Sequence, residues 1–267
     1  MDACIIIPAR YASTRYPGKP LVALTGAGGE ARSLIERSVL AARAASGGVI
    51  PIYVATDDAR IAEEAARIGA EVIMTSESCR NGTERVAEAV ARAGITADIV
   101  VNLQGDAPLT PAHFVTALIE AMRADPGCGM ATPYLRCDAE TVENLLADRR
   151  AGRVGATTVV ADRAGRALYF SKEVIPFTNG RGVVDGIVPV FHHVGVYAYR
   201  PAALAAYQAW EPGPLEGLEG LEQLRFLENG HPIRMVEVSA PGAMFWELNN
   251  PSDVPLIEGY LKRMGWA

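Results

Sequence analysis

The run IIIPARYASTRYPGKPL at positions 5–21 constrains this chain more than any other stretch. Ile5, Ile6 and Ile7 form an unbroken β-branched run that ends at Pro8, the pattern of a strand buried on both faces of a parallel sheet. A loop with three cations, Arg10, Arg15 and Lys19, follows at once. Open α/β sheets place ligands at the carboxyl ends of their strands. Small residues there (Ala9, Ala12, Ser13, Gly18) let backbone N–H groups approach oxygen atoms, while the cations offset charge that is costly to bring together. The loop therefore suits a polyphosphate. It is not a Walker loop, because GxxxxGK[ST] does not occur. Taken without its neighbours, such a cluster is also compatible with a plain solvated basic loop.

The first half alternates apolar runs with helix-period segments, which predicts a parallel sheet flanked by helices. A helix over 34–45 closes at Gly47 and Gly48, and a short buried strand covers 51–56. Asp57 is expected to cap a helix that carries Ile61, Ala65 and Ile68 on one face and ends at Gly69. Asn81, with Glu84 three residues on, has the spacing of a capping box for a helix that stops at Gly94. The strand at 98–103 delivers QGD to its carboxyl end, where a doubly wound sheet places its chemistry. In the second half, 157–161 and 166–171 read as a hairpin and 192–200 as one further strand, with a Gly-rich segment at 179–186 between them. Leu215, Leu218, Leu221 and Leu224 recur every three residues, which predicts one helix with an apolar ridge beside an acidic ridge of Glu216, Glu219 and Glu222, of which Glu216 and Glu219 read as a solvated face. Pro251 opens a last helix, to about residue 262.

Composition narrows the function classes. At 267 residues and 49% hydrophobic the chain can bury one substantial core, so a single domain is the simplest organisation. A net charge of −6 argues against a nucleic-acid partner, since a phosphate-backbone binder wants an extended basic face. No apolar run is long enough to cross a bilayer and no basic leader precedes the first strand, so no membrane association and a cytoplasmic location are expected. Cys4, Cys79, Cys128 and Cys137 lack metal-ligand spacing and read as thiols.

The full spelling PARYASTRYPGKPL resembles the amino-terminal signature of the CTP-dependent cytidylyltransferases that activate acidic sugars, most closely the 3-deoxy-manno-octulosonate (KDO) cytidylyltransferases. NGTER at 81–85, NLQGDAPL at 102–109, ALYFSK at 167–172, HVGVYAYR at 193–200 and LEGLEGLEQLR at 215–225 agree with it in order, so the resemblance spans essentially the whole chain. It implies a Rossmann-like, mostly parallel sheet flanked by helices, of the nucleotide-diphospho-sugar transferase type, with an inserted smaller sheet portion. A single nucleotidyltransferase domain over 1–267 would comprise a CTP-binding part (about 1–150), an acceptor-binding and dimerisation part (about 151–235) and a metal-site loop with closing helix (236–267). The implied partners are CTP, a small acidic acceptor and a second copy of the chain; the implied cofactor is Mg2+.

On this resemblance Pro8, Ala9, Arg10, Ser13, Arg15, Lys19, Asn81, Gly82, Thr83, Arg85 and Gln104 contact the nucleotide. Arg10, Arg15, Lys19 and Asp106 carry the chemistry, the cations on the triphosphate and Asp106 on magnesium, because hard cations prefer carboxylate oxygen. The acceptor falls to Lys172, His193, Tyr197, Glu222 and Gln223. His192 and His193 are adjacent on a strand and so face opposite ways, and the resemblance selects His193. Tyr199 reads as core, and Asn81 and Thr83 serve helix capping as well as binding.

Several positions depart from the family. QGDEP is QGDAP, with Ala107 in place of a carboxylate; Gly155 and Thr158 replace an Asn and a Lys; Lys172 replaces an Arg. WELNNPSDV at 246–254 puts Asn249 where a second metal-binding Asp is expected, and an amide oxygen ligates magnesium without formal charge. Two acceptor classes meet these departures: a KDO-like ulosonic acid, whose hydroxyl must lose a proton, or a small phosphonate such as phosphonoformate, already anionic. A CTP-binding sensor without catalysis, and a transferase for another nucleotide or a sugar phosphate, are the remaining alternatives.

Overall fold

The computed structural model describes residues 2–13, 15–152, 156–184, 187–239 and 247–266. The first strand, β1 (Ala3–Ala9), is buried along its whole length. It runs through Pro8 instead of stopping there. Proline is tolerated because the neighbouring strand pairs only with 3–6, and Pro8 faces Ala55 on the other side alone.

A small hairpin of β2 (Ala23–Thr25) and β3 (Ala31–Ser33) follows the cationic loop and leads into α1 (Leu34–Ser46), capped by the Ser33 side chain. Strand β4 (Ile52–Thr56), helix α2 (Ala59–Arg67) and strand β5 (Glu71–Met74) extend the sheet outward. The cap of α2 is Asp58, one residue beyond the expected one: its carboxylate accepts from the Arg60 N–H. Asp57 is drawn away by Arg85, which donates to it at 2.7 Å. Helix α3 (Gly82–Ala93) has Asn81 as its cap, accepting from the Glu84 N–H at 2.8 Å. The reciprocal arm of the box is shifted, because the Glu84 carboxylate accepts from the Arg80 N–H.

Strand β6 (Ile99–Leu103), helix α4 (Ala112–Ala124), strand β7 (Met130–Arg136) and helix α5 (Ala139–Arg150) complete the first half. The expected hairpin is β8 (Thr158–Ala161) with β9 (Ala167–Ser171). The strand expected over 192–200 is two, β10 (Phe191–His193) and β11 (Val196–Tyr199). They part at Val194–Gly195: β10 continues the insertion beside β8, whereas β11 enters the main sheet between β6 and β7. Helix α6 (Pro201–Ala209) follows. The Leu-every-three segment is also two helices, α7 (Pro214–Glu219) and α8 (Leu224–Glu228), because Gly220 takes a left-handed φ of 61° that ends the first. Leu218 is 83% exposed, so no continuous apolar ridge exists. Strand β12 (Arg234–Val238) pairs parallel to β7, and α9 (Val254–Arg263) follows a 3-10 turn at Pro251–Asp253.

The main sheet runs β5-β4-β1-β6-β11-β7-β10-β8-β9, with β12 against β7. Among its described strands only β9, β10 and β11 run against β1. One face packs Ile5, Ile7, Val101 and Leu103 against α1 and α4 through Val39, Phe114 and Leu118. The other packs Ile6, Val100, Tyr197 and Tyr199 against α3, α6 and α8 through Val86, Tyr207 and Phe226. Alternation along the strands divides the two cores. The carboxyl ends of β1 and β6, the loop at 10–22, the start of α3 and the α7–α8 bend therefore meet at one edge.

Candidate active site

Two clefts open along this edge. The first, about 590 Å³, is lined by Pro8, Ala9, Arg10, Ser13, Arg15 and Lys19. Asn81, Gly82, Arg85, Gln104 and Asp106 line it as well. The second, about 530 Å³, is lined by Lys172, His193, Tyr197, Gln223 and Asn249. Arg15, Gly195, Tyr197, Leu221, Gln223 and Glu247 belong to both walls, so the clefts communicate. A group bound in one lies next to a group bound in the other.

The cationic loop meets the acids at that junction. Lys19 donates to Asp106 at 2.6 Å, and Arg15 donates to the Asn249 amide oxygen at 2.9 Å. Asn249 in turn donates to Glu247 at 3.2 Å. Arg10 and Arg15 are exposed to the cleft, and long side chains there can reorient towards an anion. Glu247 was not singled out from the sequence. It lies two residues before the position that the WELNNPSDV alignment selects, and only the fold brings it beside Asp106. Desolvation and the Asp106 charge raise its pKa.

Other residues expected at the nucleotide are placed differently. The Thr83 hydroxyl is turned into the core, 2.8 Å from the Tyr199 hydroxyl, and the Thr83 N–H donates to Glu222 at 3.0 Å. This corrects its reading as a direct ligand: buried beneath the first turn of α3, it does not line the cleft. Arg85 reaches the wall, but its guanidinium is held by Asp57 and by Thr75. Glu222 lines the first cleft and not the second, contrary to its assignment to the acceptor side. Its carboxylate also accepts from the Gln104 amide at 3.1 Å.

Nor are Glu216 and Glu219 solvated. Arg225 grips Glu216 with two hydrogen bonds of 2.6 Å, reaches Glu84 at 3.0 Å, and lies over the Tyr207 ring. Glu219 accepts from Ser171 and from the Lys172 N–H. Tyr199 is fully buried, as expected.

In the second cleft both adjacent histidines line the wall, not His193 alone, since β10 ends there. His193 lies 2.9 Å from the Thr132 hydroxyl. Burial pushes its pKa down to about 3 and that of His192 to about 4, so both rings are neutral at pH 7. Tyr197 donates to the Gln223 carbonyl at 3.3 Å, and the Gln223 Nε2 is buried without a hydrogen-bond partner among the described residues. Ala107 lines this cleft, whereas Thr158 is buried and donates to the Glu173 carbonyl, so Thr157 takes its place in the wall. Gly155, Trp246 and the end of the Gly-rich segment (Asp185 and Gly186) lie outside the described residues.

Oxygen donors alone gather at the junction: two carboxylates and an amide. That chemistry fits a hard divalent cation. Among the described residues no three His, Cys, Asp or Glu side chains converge as a metal cluster, so such an ion would also draw on phosphate and water oxygens.

Comparison with known proteins identifies the family and the fold. The family model described as Cytidylyltransferase matches residues 4–235. The 3-deoxy-manno-octulosonate cytidylyltransferase of Maricaulis maris (strain MCS10) is 45% identical over 265 residues, covering 99% of both chains. That of Syntrophobacter fumaroxidans is 44% identical over 232 residues, 86% of each. Among solved structures, a CMP:2-keto-3-deoxy-manno-octonic acid synthetase complexed with CTP superposes with a TM-score of 0.82 at 32% identity, covering 99% of this chain and 100% of that one. With matching fold, matching motif order and this extent of identity, the chain belongs to the 3-deoxy-manno-octulosonate cytidylyltransferase family.

Proposed function

We propose that this protein joins CMP from CTP to a KDO-like ulosonic acid and releases pyrophosphate. One observation carries the reading: Arg15, Lys19, Asp106 and Glu247 meet where the two clefts open into each other. In-line transfer needs the attacking oxygen on one side of the α-phosphorus and the departing pyrophosphate on the other. The acceptor lies in the second cleft, and its hydroxyl oxygen forms the new bond to phosphorus as its proton passes to water. The bond from phosphorus to the bridging oxygen breaks, and its electrons leave with the pyrophosphate towards Arg10, Arg15 and Lys19. Fixed cations there stabilise charge that grows as the bond breaks.

Asp106, with Glu247 and the Asn249 amide, would hold magnesium, which would neutralise phosphate charge. Lys19 pairs with Asp106 and Arg15 with the Asn249 amide oxygen, so a triphosphate in the first cleft would compete for both cations. The Gln223 Nε2, buried without a hydrogen-bond partner among the described residues, and the Lys172 ammonium suit an acidic acceptor. A cleft of about 530 Å³ also lies within the ~300–1,000 Å³ usual for small-molecule sites, roomy for a sugar acid. Exposed Phe177, Val183 and Ile187 on the second half support assembly as a homodimer. Among the described residues no helix is long and apolar enough to cross a membrane.

The test is a pyrophosphate-release assay with CTP and magnesium, offering KDO and phosphonoformate separately. Release with KDO is expected. Release with phosphonoformate alone overturns the acceptor, and CTP binding without release from either acceptor favours a sensor.

A further inference from the structure

Glu222 sits in the α7–α8 bend, whose Leu221 and Gln223 also line the second cleft, yet both of its carboxylate oxygens are engaged beside the first. One accepts from the Thr83 N–H in the first turn of α3; the other accepts from the Gln104 amide nitrogen. A carboxylate oxygen only accepts, so the amide of Gln104 must present its nitrogen to Glu222. Turning it over would set two oxygens about 3.1 Å apart. The amide packs closely over Gly82, where an added Cβ would lie 3.0 Å from Gln104 Nε2 and 3.1 Å from its Oε1, so glycine leaves the room the amide occupies. With its nitrogen committed, Gln104 offers the cleft an acceptor, its carbonyl oxygen.

We propose that Glu222 is a positioning residue of the nucleotide cleft: it fixes Gln104 so that a hydrogen-bond acceptor faces the nucleoside, and so selects nucleotides that carry a donor at that point. This rests on the first cleft being the CTP site. Two donors on CTP fit: the exocyclic amine of cytosine, which uracil replaces with an acceptor oxygen, and a ribose hydroxyl. The pairing also links the acceptor-side bend to the first turn of α3.

Calorimetry of CTP, UTP and 2′-deoxy-CTP with the full chain tests this. Loss of a hydrogen bond to a charged group predicts that Glu222→Gln weakens CTP about tenfold and narrows the preference for CTP over one competitor by a similar factor. If UTP gains, the donor is the amine; if deoxy-CTP gains, it is a ribose hydroxyl. The KM of the acceptor should change by less than about twofold, within ordinary context variation. Gln104→Glu should weaken CTP as much on its own. Joined to Glu222→Gln it should recover most of the affinity and the preference, because the reversed pair again hydrogen-bonds and again turns an acceptor outward. That rescue is not expected of a merely structural contact, and it can be read even if one single variant folds poorly. A folded Glu222→Gln with wild-type CTP affinity, a rise confined to the acceptor KM, or additive losses in the reversed pair each overturn the proposal. Failure of the unaltered chain to bind CTP overturns the site reading itself.

Discussion

The two ends of the first cleft are built on opposite principles. At the cationic-loop end the charges reach the surface: Arg10 and Arg15 are exposed, and the half-buried Lys19 pairs with Asp106. At the α3 end they are sealed in a network of Arg225, Glu216 and Glu84 with Tyr207 and Asn81. Cations already in place stabilise charge that grows on a phosphate, whereas a wall that discriminates by hydrogen bonds must not yield. The difference predicts that substitutions at one end cost activity and at the other stability.

Arg225→Ala should have the largest effect. Removing one partner of a buried ion pair leaves Glu216 uncompensated, while Glu84 keeps Arg80, at a cost of about 3–5 kcal/mol, read as a lower urea midpoint. An unchanged midpoint would erase the contrast. Arg15→Ala and Lys19→Ala should cut pyrophosphate release about 10²–10³-fold by removing preorganised charge, with the urea midpoint little changed. A variant that keeps full turnover would remove that residue from the reaction.

The metal end comes next. Glu247→Gln should weaken Mn2+ binding to the CTP complex about tenfold, followed by electron paramagnetic resonance. Asn249→Asp should recover part of that loss, while Asn249→Asp alone should leave turnover with KDO equal or better. A clear fall with KDO would argue for an acceptor that is already ionised. The smallest effect is in pH. His192 and His193 have folded pKa values below the unfolded value of about 6.5, so the unfolded chain binds more protons between about pH 3 and 6.5. Their contribution is complete above pH 6.5 and is lost as pH falls through that window. His193→Gln should therefore flatten the acid side of the stability curve, and an unchanged slope would show that the ring is charged in the fold.

Local signals carried much of this into the sequence. The isoleucine run, Asn81 with Glu84, and QGD after an apolar strand each act over a few residues, and the corresponding elements lie where expected. Features set by tertiary contacts were not legible. A three-residue leucine period cannot reveal that Gly220 takes a left-handed turn, nor that Arg225 folds back to neutralise Glu216. Two adjacent histidines look like opposite faces of one strand until Val194–Gly195 breaks it. Asn249 suggested a missing carboxylate because motif spelling compares positions one by one; the fold places Glu247 at the same junction. Thr83 spells a ligand and serves as a strut, because its hydroxyl finds Tyr199, 116 residues away.

A crystal structure with CTP and magnesium tests the central claim most directly. The account predicts the triphosphate against Arg10, Arg15 and Lys19, with Lys19 moved from Asp106 to phosphate and the cation on Asp106. A triphosphate bound elsewhere, with the Lys19–Asp106 pair intact, would contradict it.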